Sequence, residues 1–418
     1  MHKFGKYFKI KKGNLNMAEE KKNTNEVKKV NTGNEAEYSS VLHYADCSEV
    51  NMIDSMDDEG YINIDPSKMK KQSMEGFGDY QNIVDYIVKI TRQIWKEKDI
   101  GLIYDTYSYG VQIHRGLVNS HGVNEVISGT LQTLQSFPDR SGLGYSVIWS
   151  GNDKDGFFTS HRGKSVGTNL GDTLYGEATG RKVMFRTTAD CLIYQNKIYE
   201  EWLVMDTHHL VEQLGFDPIE IAKRIAKQTR SLSPTLQFNI SQSAEEGLQP
   251  SHYVPKYNDF EIGDFILTMF NQIWSRKSIN KVKDHYEKNA VLHFVRNRDM
   301  VGHSEIQGTF LNLFSSIPNG KVIIDRVTNN KREGQDNWDV AVRWRIQGVH
   351  GGIGYFGKAS GKTIEINGIN HYKVRNKKII EEWMLFDGLD VLRQVYTEKT
   401  ENNEESDSYD DGNFTGVS

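Results

Sequence analysis

The sequence predicts an α+β chain in which one unit, helices packed on a curved antiparallel sheet, is built twice in tandem. Three observations predict this. Residues 181–215 (RKVMFRTTADCLIYQNKIYEEWLVMDTHHLVEQLG) return as residues 362–396 (KTIEINGINHYKVRNKKIIEEWMLFDGLDVLRQVY), each reading as strand, tight turn, strand and short helix. The apolar stripe Ile83, Val84, Ile87, Ile90, Ile94 and Trp95 has helical spacing and returns as Phe260, Ile262, Phe265, Ile266, Met269, Phe270, Ile273 and Trp274. In both copies the helices precede a run of strands, the order of an α+β fold rather than of alternating βαβ units.

A chain of 418 residues with 37% hydrophobic and 26% charged residues is globular and too long for one core. Its net charge of −5 gives no general attraction to nucleic acid or to an anionic membrane. No apolar run approaches the roughly 18 residues of a membrane span. The basic N-terminus lacks the apolar core of a secretory signal, so a cytoplasmic setting is expected, with Met17 as an alternative start. The two cysteines, Cys47 and Cys191, define no disulfide framework, and Cys191 reads as a small core residue.

In chain order, residues 1–79 are polar and read as a disordered or loosely attached extension, in which Tyr61–Ile64 is a candidate edge strand. The first domain spans 80–217. After its opening helix come His114 in VQIHR, a helix over 123–137 stopped by Pro138, and strands at 145–150, 156–166, 183–194 and 198–205. Residues 218–255 form an amphipathic helix and a polar linker. The second domain, 256–398, repeats the order: His293 in VLHFV, a helix over 304–317 before Pro318, then strands at 322–327, 338–349, 363–374 and 379–386. Gly129-Thr130 and Gly308-Thr309 are shared within the second helix of each copy. The acidic tail from 399 is expected to be disordered.

Candidate chemistry sits mostly in the first copy. Asp190 lies in an apolar strand, RTTADCLIY, where a carboxylate must face a polar cavity or a partner such as Arg186 or Arg162. Buried, it would suit proton abstraction beside a carbonyl. The ungapped alignment puts His371 opposite it in the second copy. His114 can act as acid, base or donor, or be a core histidine. Arg162 could hold an oxyanion, but it and His161 point to opposite faces of one strand, so only one reaches a cavity. Trp95, Trp202 and Tyr107 are aromatic wall candidates, with Glu201 on the face opposite Trp202. Asp206 and Asp387 precede short helices and read first as N-caps, with Asp206 kept as a ligand contact. No cofactor motif, metal-ligand spacing, nucleotide loop or nucleic-acid motif is present, so the expected cofactor is none and the expected partner is a small-molecule ligand.

The turns Thr179-Gly180-Arg181 and Ser360-Gly361-Lys362, the helix end Phe137-Pro138-Asp139, the phrases NKIYEEW and NKKIIEEW and the closing QLG resemble SnoaL-like polyketide cyclases (ester cyclases) of the nuclear transport factor 2-like superfamily. The resemblance covers about 79–218 and, more loosely, 259–398. It implies two cone-shaped domains that pair through their sheets as an intramolecular pseudo-dimer, with further homo-oligomerisation left open. It also implies a pocket for intramolecular aldol ring closure by an acidic base, for which the place directly after the tryptophan is the natural one. Here that place holds Leu203 and Met384, which speaks against the cyclase mechanism. An acid/base enzyme of the cyclase, isomerase or dehydratase type, a non-catalytic binding module and an interaction scaffold all remain compatible with this fold.

Overall fold

The computed structural model of the protein describes residues 42–44, 69–116, 119–232, 250–332 and 336–397. Two sheets, each with its own helices, account for nearly all of them. In the first half, α1 (Ile83–Trp95) starts at Asn82, whose side chain accepts from the Asp85 amide, and buries its apolar stripe. Then follow α2 (Leu102–Thr106), β2 (Tyr107–Arg115), β3 (Ser120–His121), α3 (Val123–Ser136), β4 (Ser141–Asn152), β5 (Gly156–Thr168), β6 (Lys182–Tyr194), β7 (Lys197–Met205) and α4 (Thr207–Leu214). The six strands lie in the order β3-β2-β7-β6-β5-β4, with β2 and β7 parallel and the other neighbours antiparallel. α5 (Pro218–Leu232) leaves this half and packs on the last helix of the chain.

The second half begins with α6 (Ile262–Met269), capped by Glu261 and running on as one π-turn over Phe270–Ser275. α7 (Val282–His285), β8 (Tyr286–Phe294), β9 (Arg298–Val301), α8 (Gly302–Ser316), β10 (Lys321–Lys331), β11 (Trp338–Val349), β12 (Thr363–Arg375), β13 (Lys378–Phe386) and α9 (Gly388–Tyr396) follow. Its strand order, β10-β11-β12-β13-β8-β9, is the first sheet's order again. A seventh strand, β1 (Leu42–Tyr44), adds in parallel to the β10 edge.

Local chemistry explains the boundaries. The β6–β7 turn places Gln195 and Asn196, and the β12–β13 turn Asn376 and Lys377, at positive φ, the geometry of a tight hairpin. Asp206 and Asp387 each accept backbone amides at the start of the following helix, the capping expected from their place in the sequence. The shared Gly-Thr dipeptides are not equivalent in space. The buried positions of α3 and α8 align Val126 with Ile306 and Thr130 with Phe310, one residue out of that register.

The N-terminal extension departs from expectation in part. Residues 69–79 are not loose: Met69, Met74 and Phe77 are buried, and the Ser73 hydroxyl and Glu75 amide bond Asp153. The described strand of the extension is Leu42–Tyr44; Tyr61–Ile64 and the acidic tail beyond 397 lie outside the described residues.

The two sheets meet through their outer faces. The Arg162 guanidinium lies 3.5 Å from the ring centre of Trp383, and that of Arg343 lies 3.6 Å from the ring centre of Trp202. The contact is reciprocal, since Arg162 and Arg343 hold equivalent positions, as do Trp202 and Trp383. Each indole is backed on its own side by a histidine stacked at 5.0 Å, His114 on Trp202 and His293 on Trp383. Asp190 pairs with Arg343 at 3.3 Å, the Ser160 hydroxyl and His371 Nε2 bond at 2.8 Å, and Asn330 bonds both backbone groups of Trp149.

A desolvated cation on an indole contributes up to about 2 kcal/mol. The double-mutant cycle Arg162→Ala with Trp383→Ala is therefore expected to give a coupling of about 0.5–2 kcal/mol in chemical denaturation. Strictly additive losses would mean that the stack contributes nothing.

Candidate functional site

Because side chains alternate along a strand, giving the outer faces to the contact between the sheets leaves the inner faces to the interiors. In the first half this interior is a cavity of about 580 Å³, bounded by α1, α3, the sheet and the loop at 172–175. Apolar atoms from Ile90, Trp95, Phe137, Phe185, Leu203 and Met205 form much of its wall. Polar side chains are interspersed with these, Tyr107, Arg115, His161, Thr187 and Glu201 among them.

Glu201 faces this cavity and is 9% exposed. The Tyr107 hydroxyl donates to its Oε2 at 3.1 Å. Burial raises the Glu201 carboxyl above the ordinary range, against the pull of Arg115 and the Tyr107 hydrogen bond. Burial, reinforced by Glu201, likewise drives the Tyr107 phenol well up. His161 also borders the cavity; its Nδ1 and the Thr187 Oγ1 are buried without a hydrogen-bond partner. Burial lowers the His161 imidazole to about 4, so it is neutral at physiological pH. His161 stands opposite Ala189, and Thr187 is two residues along on the same face, so the two groups are diagonal neighbours.

The sequence-derived candidates divide by face. Trp95, Tyr107 and His161 line the cavity. Asp190 does not: it is 2% exposed on the outer face and faces Arg343 of the other half, so its place as a cavity base is corrected to an ion pair between the halves. Arg162 and Trp202 lie on that outer face, in the stacks already described. His371 sits there too, bonded to Ser160, and burial with repulsion from Arg162 and His161 holds its pKa well down. His114 stacks on Trp202 and bonds Glu200 at 2.8 Å. Asp206 is a helix cap that also accepts the Arg296 amide at 2.6 Å.

Glu201 was expected on the face away from a tryptophan in the wall, and the structure reverses the two. A β-bulge is the cause. Ile193 pairs with Ile198 but Leu192 with Glu200, leaving Tyr199 as an extra residue that inverts the alternation beyond it. The second sheet carries the same bulge, between Val374–Ile379 and Lys373–Glu381. The bulge has no clear mark in the sequence. A better signal was available in the two copies compared position by position, because cavity-side residues differ in size between them.

Those differences decide which half is hollow. Thr91, Thr130, Gly163, Ala189 and Cys191 border the first cavity, whereas Phe270, Phe310, Trp344, Asn370 and Tyr372 hold the equivalent positions and are fully buried. Trp344 fits because its cross-strand partner is Gly368, where a Cβ would collide with the indole; the first sheet has Gly163 opposite Thr187. The acids diverge accordingly. Glu382, equivalent to Glu201, is wholly buried and accepts from Tyr286 at 2.6 Å and Asn370 at 2.7 Å. A smaller cleft of about 360 Å³ lies between the halves, bordered by His114, Trp202, Arg343 and Asp387. Among the described residues no group of His, Cys, Asp or Glu is arranged to hold a metal ion, and no helix is long and apolar enough to cross a membrane.

Burial pushes the Glu382 carboxyl up from 4.5 to about 7. The folded state therefore holds its proton more tightly than the unfolded chain, and this contribution to stability is lost as pH rises from 4.5 through about 7. Glu382→Gln is expected to remove a fall on the order of 3 kcal/mol between pH 5 and 8, measured by urea denaturation. An unchanged pH slope in the variant would refute this role.

No curated protein matches the chain. Among solved structures, a Jannaschia sp. CCS1 protein assigned as a SnoaL-like polyketide cyclase aligns at 17% identity over 34% of this chain and 100% of its own, with a TM-score of 0.30. TsrD from Streptomyces laurentii aligns at 18% identity over 32% and 94%, with a TM-score of 0.28. IdmH from Streptomyces antibioticus aligns at 18% identity over 32% and 99%, also with a TM-score of 0.28. The family match falls on the half with the filled interior: residues 265–395 form a SnoaL-like polyketide cyclase domain.

Proposed function

We propose that the first half is a second SnoaL-like domain, that it binds a small molecule with an apolar body and a carbonyl group, and that Glu201 is its acid/base residue. The second half pairs with it as an intramolecular pseudo-dimer and braces the outer face of the cavity sheet. The observation that carries this reading is the fate of one acid in two copies. Glu382 is enclosed by Tyr286 and Asn370, while Glu201 borders a cavity with Tyr107 as its hydrogen-bond donor. A carboxylate whose pKa is raised by burial is a stronger base than one in water. In the proposed step Glu201 takes a proton from the carbon next to the carbonyl, and the electron pair moves onto the carbonyl oxygen. The neutral His161 and the Thr187 hydroxyl donate hydrogen bonds to that oxygen, and the proton returns from Glu201 to another carbon or to the same one.

One observation favours passive binding instead. Leu203 occupies the cavity position directly after the tryptophan, so no acid stands there. Deuterium exchange into the α-carbon of a bound apolar ketone such as 2-decanone separates the two readings. The wild type is expected to catalyse exchange and Glu201→Gln to lose it by about 100-fold or more with ketone affinity kept. Binding without exchange in the wild type would leave a binding module.

A further inference from the structure

Resting on Glu201 as the acid/base residue, we infer that Arg115 is its positioning residue: the guanidinium charge holds Glu201 as a carboxylate, so that the cavity offers a base before any ligand enters. Arg115 lies on β2 opposite Leu203, two residues along β7 from Glu201 and on the same face, about 7 Å along the strand. Both residues line the cavity, and Arg115 with Leu203 also borders the smaller cleft between the halves. The guanidinium rests against α3: its Nη1 lies 3.8 Å from the place of a Cβ on Gly129, itself part of the cavity wall. Among the described residues this guanidinium forms no hydrogen bond or ion pair, and only the backbone amide of Arg115 is bonded, to the Asn119 side chain at 3.2 Å. Its charge is therefore not taken up by another acid.

The second half holds the same acid without this charge. Trp383 pairs with His293 as Trp202 pairs with His114, so the residue that follows, Phe294, is the counterpart of Arg115. Phe294 is buried, its ring centre 5.3 Å from that of Tyr355 and 5.7 Å from that of Phe386. Arg186 of the first half reaches the Phe294 carbonyl, but there it pairs with Asp206 at 3.6 Å. Burial pushes Glu382 up to about 7, countered by hydrogen bonds from Tyr286, Tyr372 and Asn370 and, among the described residues, by no positive charge. Glu201 is also raised by burial, but it has one hydrogen-bond donor, Tyr107, and Arg115 is the stronger of the two influences that oppose burial. Three neutral donors leave the acid half protonated near neutral pH, and a positive charge is what the first half adds.

The other titratable groups of the wall leave this task to Arg115. Cys191 stands opposite Glu201 on β6, and burial together with Glu201 pushes its thiol well up, so it is neutral. Burial keeps the Tyr107 and Tyr175 phenols and the His161 imidazole neutral as well. α1 and α3 bring no titratable side chain to the cavity. Lys164 and Arg140 stand by Arg186 and Phe185, five and six residues along β6 from Cys191, and Asp172 belongs to the loop. An ionised Glu201 begins a reaction by removing a proton, whereas a protonated one begins by giving it. The substrates are thereby restricted to those with an acidic C–H beside a carbonyl, to the exclusion of alkenes and acetals that must first be protonated.

Infrared difference spectra, each protein against its own Glu201→Gln variant, isolate the carboxyl band of this one residue and need no ligand. The wild type is expected to show the carboxylate form at about pH 6 and above, and Arg115→Gln to take up the proton as pH falls through the range of Glu382, about 7. Arg115→Lys, which keeps the charge, is expected to titrate as the wild type does and guards against loss of fold. Arg115 is exposed, so salt at about 1 M is expected to move the wild type towards Arg115→Gln. A band in Arg115→Gln that titrates as in the wild type, or one in Arg115→Lys that titrates as in Arg115→Gln, would overturn the inference. Deuterium exchange into 2-decanone keeps this failure apart from that of the catalytic reading. Where both stand, Arg115→Gln loses about tenfold of its exchange rate at pH 6, one unit below about 7, and the loss shrinks to about twofold or less at pH 8.5. If the band moves while no form of the protein catalyses exchange, Arg115 sets the charge of Glu201 and the proposed catalysis falls.

Discussion

Two guanidinium groups, each placed over an indole of the opposite half, mark the faces on which the two sheets meet. Arg162 on Trp383 and Arg343 on Trp202 give the outer faces a charged, aromatic contact rather than an aliphatic one. Such groups are costly to bury without partners, and the partners are close by. Asp190 neutralises Arg343, and His114 and His293 back the indoles while bonding Glu200 and Glu381. Residues that look reactive in the sequence, an aspartate in an apolar strand and paired histidines, are thereby engaged in holding the halves together.

The inner faces obey a different constraint. Protein interiors pack to the density of organic crystals, so a cone is either filled by its own side chains or presents a cavity. One scaffold here does each once. Five exchanges of small for large residues, led by Gly163 for Trp344, separate the two outcomes without altering strand order or turn geometry. The acid on β7 and its tyrosine are common to both halves, which shows that the pair belongs to the scaffold. What differs is whether anything besides protein can reach it.

Much of this architecture is legible in the residues. Helical stripes, proline stops, aspartate caps and hairpin turns are local, and local patterns survive into the structure nearly to the residue. The faces of strands are less legible. His161 and Arg162 must point oppositely, but nothing in the sequence says which of them faces the partner sheet. Glu201 is misplaced because one extra residue, Tyr199, inverts the alternation, and a bulge depends on tertiary context.

The small strand β1 has a consequence for biosynthesis. It lies before the first half, yet Leu42 pairs with Val327 at the edge of the second sheet. Ribosomes add about 5–20 residues per second, so this strand emerges on the order of tens of seconds before its partner exists. The first half can complete its own six strands in that interval, because none of them requires β1. The last sheet to be made is thus closed by one of the earliest segments to appear, and the N-terminal extension is tied to the domain farthest from it along the chain.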